Sequence, residues 1–143
     1  MTVTASIDFR VYLCTISLID ILSILSSHGW NFSDSGHQVY LPINDNDEWN
    51  WKSEKLNNEE LFDIFHIKSK LSEPIGVAIS WQETNIGGQL LLFPDGEISV
   101  LLNNNRLINS YGVTDFDWYL NKIVPIFREH NIVIEKLSFT EHI

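Results

Sequence analysis

A single cysteine, Cys14, among 143 residues excludes an internal disulfide and leaves stability to the core. Such usage suits a reducing compartment. Cys14 ends an apolar run with no helper residue nearby, so it reads as a small buried apolar side chain rather than a nucleophile. Positive charge is also scarce: nine Lys and Arg face nineteen Asp and Glu, a net charge of −10. A field of that sign repels nucleic acid and anionic membranes and draws in a basic protein. Long hydrophobic runs are missing as well. The most apolar stretch, 16–25, is interrupted by Asp20 and too short for a bilayer. The opening MTVTASIDFR has neither the basic nor the apolar region of a signal peptide. The expectation is a soluble, cytoplasmic protein that binds neither nucleic acid nor membrane.

The motifs of chemistry are missing too. No two of His28, His37, His66, His130 and His142 stand at zinc-ligand spacing, and one cysteine adds little, so no metal is expected. Asp45, Asp47 and Glu48 suggest a calcium loop, which needs Gly at its sixth position and Glu at its twelfth. Counted from Asp45, those positions hold Asn50 and Leu56. Gly87-Gly88 lacks the pattern and the following helix of a phosphate loop and reads as a flexible hairpin turn. Asp115 and Asp117 could share a proton, but the first turn of a helix accounts for acids there. No catalytic residue and no cofactor are expected.

What is present describes an ordinary globular chain, 44% hydrophobic and 20% charged, of single-domain length over 1–143. Strict alternation from Val3 to Leu13 predicts a long half-buried strand. Ser17 with Asp20 opens a helix whose stripe is Leu18, Ile21, Leu22 and Leu25, and His28-Gly29 closes it. A short strand is expected over 38–43. Asn57 and Glu60 cap a second helix with an apolar face of Leu61, Ile64, Phe65 and Leu71. Lys68 and Lys70 lie towards its end, before Pro74. Then come three strands, 77–82, 90–93 and 97–103, with FPDG as the last turn. Thr114 and Asp117 start a third helix, which Pro125 should kink or break. Residues 132–139 form the last strand. The order βαβαβββαβ predicts an α+β fold: three helices against one face of a largely antiparallel sheet of about six strands.

One segment stands out. NDNDEWNWKSEKLNNEE (44–60) places Trp49 and Trp51 among six carboxylates. In one reading the indoles fold inward and anchor a polar connection. In the other, at least one is exposed and forms the centre of a surface whose acids meet a basic partner. If the segment is extended, Trp49 and Trp51 face the same side, with Asp45 and Asp47, and Glu48 points opposite.

The run GGQLLLFPDGEISVLLNNNR (87–106) followed by TDFDWYL (114–120), in an acidic α+β chain of this size, resembles immunity proteins of bacterial polymorphic-toxin systems, including contact-dependent growth inhibition. The resemblance implies a non-enzymatic inhibitor, a monomer forming a 1:1 complex with a cognate toxin domain of basic, nuclease type. Covering the toxin's active or substrate-binding site would neutralise it. The residues expected to make the contact are Asp45, Asp47, Glu48, Trp49, Trp51 and Glu54, with Glu59, Glu60 and Asp63 of the second helix beside them. Two other readings stay open. One is a small ligand-binding or regulatory domain with a pocket between sheet and helices near Trp81 and Trp118. The other is an enzyme using His66 or His130 with a carboxylate.

Overall fold

The computed structural model describes residues 2–14 and 16–143. Alternation of apolar and polar side chains builds β1 (Thr4–Val11), which buries Ala5, Ile7, Phe9 and Val11 on one face. The helix α1 (Leu18–Ser27) follows, with Ser17 and Asp20 forming a reciprocal capping box. After two short strands, β2 (Trp30–Asn31) and β3 (Gln38–Tyr40), comes β4 (Lys52–Glu54). The second helix, α2 (Asn58–Lys70), is again opened by a capping box, Asn57 with Glu60. The meander β5 (Ile75–Trp81), β6 (Gly87–Leu92) and β7 (Glu97–Asn104) leads to α3 (Phe116–Glu129) and β8 (Ile134–His142).

The expected α+β architecture is present: the described residues form three helices and an open, antiparallel sheet in the order β4-β3-β5-β6-β7-β1-β8. β2 pairs with β5 beyond the end of β3, so among the described residues the sheet has eight strands rather than about six. The two unforeseen strands are only two and three residues long, too short to show a period. Core side chains from β1, β5, β6 and β7 point to one face and meet Ile21, Leu22, Leu61, Phe65, Tyr119, Ile123 and Phe127 of the helices. The opposite face of β1 carries Ser6, Asp8 and Arg10, only half-buried. No described helix is long and apolar enough to cross a membrane.

Several local expectations change. Lys68 is not a solvated cation at a helix end but 1% exposed, while Leu71, assigned to the apolar face, is 52% exposed. The α2 helix stops before Pro74 because Ser72 turns left-handed (φ 55°) and Glu73 returns its N–H to the Lys68 carbonyl. The cap of α3 is Asp115, which accepts from the Trp118 N–H, and not Thr114. Thr114 is instead drawn to Glu141. Pro125 neither ends nor divides α3. Its ring lies on the exposed side, where water can satisfy the carbonyl that loses its partner. Cys14 is exposed rather than buried.

Gly87-Gly88 is not a flexible turn. Both residues sit inside β6 beside a bulge, where a Cβ on Gly87 would collide with the Ile79 carbonyl and one on Gly88 with the Leu101 carbonyl. The glycines let neighbouring backbones approach. Gly88→Ala should therefore destabilise the fold by roughly 1–3 kcal/mol, measured by urea denaturation.

Glu141 ties β8 to the start of α3. Hydrogen bonds from the Thr114 hydroxyl and backbone N–H hold its carboxyl below the usual range, and the nearby Arg106 guanidinium adds to this. A lowered folded pKa stabilises the protein above the ordinary value of 4.5, and that contribution is lost as pH falls from 4.5 through the folded value. The stability advantage of wild type over Glu141→Gln should accordingly be full at neutral pH and shrink in this acid window, read from denaturation midpoints.

Candidate functional site

The acidic segment begins where β3 leaves the sheet and is organised by two internal ties. The first is the buried ammonium of Lys68, which donates to the Pro42 carbonyl at 2.7 Å and to Glu73 at 3.3 Å. The same Glu73 oxygen accepts the Asn44 N–H at 2.9 Å. The second is Asp45, only 8% exposed, whose two carboxylate oxygens accept the N–H groups of Trp49 (2.8 Å) and Asn50 (2.9 Å). Asp45 is thus turned inward as the organiser of the loop, and its carboxylate is not displayed for a partner.

The segment is not extended. Asn44, Asn46, Asp47 and Trp49 all have positive φ, between 54° and 61°. Asn and Asp tolerate this region, whereas a bulky side chain there is an outlier. The simple parity of the two tryptophans is therefore lost, and the two indoles differ in burial. Trp51 is the anchor: half-buried, its ring lies with Leu41 over Gly76, on the face of β5 away from the helices. Trp49 is the displayed ring, 42% exposed, with Phe93 edge-on at a centroid distance of 6.3 Å. Asp47 and Glu48 beside it are exposed. Together with Leu71, Ser72, Glu73 and Pro74 the loop borders a shallow cavity of about 350 Å³.

The predicted contact residues do not form one cluster. The loop tip packs on the C-terminal end of α2, as the Lys68 bridge requires. Glu59, Glu60 and Asp63 stand on the first turns of that helix, and a rise of 1.5 Å per residue puts Glu59 roughly 13 Å from Lys68 along the axis. All three are exposed, and Glu60 is partly engaged by the Asn57 N–H. Glu54 on β4 accepts a hydrogen bond from the Tyr40 hydroxyl. Burial, and then this carboxylate, push the Tyr40 hydroxyl up to about 12. The predicted acids thus fall into two patches, one on the loop tip and one at the start of α2.

Trp81 and Trp118 do meet, at 6.5 Å and nearly perpendicular, with the Lys122 ammonium 5.5 Å from both ring centres. Trp30 packs on Trp81 from the other side. The gap at the centre of the core, lined by Phe9, Leu25, Trp30 and Phe127 among others, amounts to about 10 Å³, less than a metabolite needs. The amides of Asn104 and Asn105 are spent on Asp34 and the Asn85 carbonyl. Asp115 is spent as a cap. His66 is exposed on α2.

One grouping escaped the sequence reading. His28, at the end of α1, and His130, at the end of α3, bring their Nε2 atoms to 2.8 Å, and Glu129 lies alongside. Spacing rules apply to neighbours in sequence, and these histidines are 102 positions apart.

Removing the Asp45 carboxylate should orphan two backbone N–H groups. Asp45→Ala is expected to cost about 1–3 kcal/mol, while Trp49→Ala stays within roughly 1 kcal/mol because its ring lies at the surface, 42% exposed, outside the core. Chemical denaturation of the two variants checks this contrast. Comparison with family models, with curated proteins and with solved structures finds no match.

Proposed function

We propose that this protein is a binding protein for a basic macromolecular partner, and that its role is that of an immunity protein: it covers and neutralises a cognate toxin domain of nuclease type. The observation that carries this reading is Trp49. A bulky residue is held in the left-handed region by a buried carboxylate, and the result is a partly exposed indole directly after exposed Asp47 and Glu48 in the chain. Strained backbone that the surroundings enforce concentrates at functional positions. An aromatic anchor with acids at its rim supplies contact area at low entropic cost, and the carboxylates speed the encounter with a positive surface.

The chain's charge of −10 supports the same direction. A basic nuclease face evolved to hold phosphate, and an acidic surface competes for it by charge alone. Glu54, Glu59, Glu60 and Asp63 extend the negative surface and would steer the approach, while Trp49 would fix the docked complex.

This reading predicts a neighbouring gene for a large secreted protein with a variable C-terminal domain, and co-expression with that domain should rescue growth and yield a co-purifying 1:1 complex. Trp49→Ala should weaken that complex by about 2 kcal/mol or more, roughly thirtyfold. Asp47→Lys with Glu48→Lys should slow association most strongly at low salt. Unchanged binding by a correctly folded variant carrying all three substitutions would overturn the assignment of this surface. Failure of both rescue and co-purification would overturn the immunity role.

A further inference from the structure

The ends of α1 and α3 converge on a point that neither the core nor the acidic loop uses. His28 is the C-cap of α1, His130 is the C-cap of α3, and Glu129 is the last residue of α3. One ligating atom from each of the three lies within 4.8 Å of the others. The imidazoles stand nearly perpendicular (77°), with ring centres 5.0 Å apart and the two Nε2 atoms in contact at 2.8 Å. Among the described residues this is the grouping of His, Cys, Asp and Glu with metal-binding geometry.

Two electrostatic facts favour a cation at this point. Each helix C-terminus carries a partial negative charge of about half an electron, and here two such ends meet. The Glu129 carboxylate stands at the same point, one of the nineteen acids behind the net charge of −10. The contact itself is also unusual: two neutral imidazoles can approach through Nε2 only if one donates a proton to the other. A metal ion removes that constraint by accepting both lone pairs.

We propose that His28, Glu129 and His130 form a binding site for a divalent transition-metal ion, with zinc the best fit. Zinc–nitrogen bonds of about 2.0–2.1 Å in tetrahedral geometry set two imidazole nitrogens about 3.3 Å apart. The rings need to open by about half an ångström to receive it. His130 and Glu129 are exposed and His28 half-buried, so the side chains have room to do so and water can take the fourth position. The backbone beneath is fixed: the Trp30 indole N–H donates to the Lys122 carbonyl at 3.0 Å, binding the segment after α1 onto α3. Two imidazoles and one carboxylate select zinc or a neighbouring transition ion over magnesium and calcium, which require oxygen donors throughout. Bound metal would join the ends of two helices that are distant in sequence. This site is independent of the Trp49 surface.

The test uses the whole chain, stripped with a chelator and titrated with zinc ion alone, by calorimetry and by thermal unfolding. One equivalent should bind and raise the unfolding temperature, while magnesium and calcium at millimolar concentration leave it unchanged. Loss of an outer-shell partner alone weakens metal sites by roughly 10–100-fold, so His28→Asn and His130→Asn should each lose at least about tenfold. Glu129→Gln should lose less, and His66→Asn, on another helix, nothing. Asn is accepted at helix ends, and circular dichroism confirms that each variant is folded. An absence of zinc binding, or equal binding by the folded His28→Asn/His130→Asn double variant, would overturn the site and leave a proton-sharing histidine pair.

Discussion

The buried ammonium of Lys68 is the constraint on which the displayed surface depends. A charge 1% exposed is tolerated only where it is paired and hydrogen-bonded, and the Pro42 carbonyl and the Glu73 carboxylate accept two of its three N–H groups. Glu73 in turn holds Asn44, and one residue on Asp45 gathers the amides that set Trp49 outward. A helix end, a strand exit and a loop are thereby locked by one cation. Breaking such a buried pair costs far more than an exposed ion pair contributes, because the remaining charge has no water to turn to.

The architecture explains why this loop, and not another, carries the display. Helices cover one face of the sheet and leave the other half-open, so a segment crossing the edge at β3 and β4 can reach both. Trp51 uses the uncovered face, filling the space over Gly76, where any larger residue would meet it or Leu41. That anchoring fixes the far side of the loop, much as Lys68 fixes the near side. The result is a rigid loop, which matters for binding because a preordered surface loses less entropy when a partner docks.

The fold was legible in the sequence wherever a period or a cap repeated itself. Alternation marked β1 and the meander, and reciprocal caps marked both α1 and α2, because these signals are local and each is satisfied within a few residues. Long-range satisfaction was not legible. Lys68 looked like a helix-end cation until a carbonyl 26 positions away accepted its hydrogen bond, and His28 and His130 looked unrelated until two helix ends met. Gly87-Gly88 looked like a turn because closeness between strands leaves no mark on composition. Within the candidate site, the tryptophans and acids were visible, but their division into anchor, organiser and display depended on left-handed backbone that no spacing rule encodes.

The position of β1 has a consequence for how the molecule is made. Its two neighbours, β7 and β8, are the last strands of the sheet to be synthesised. At about 5–20 residues per second, the ribosome leaves Ala5, Ile7, Phe9 and Val11 without their partners for on the order of ten seconds. During that interval a sticky ribbon is in search of an edge, and the meander β5–β7 becomes available before β8 does. Nascent chains of this protein should therefore depend on chaperone shelter early in synthesis and shed it once β7 emerges.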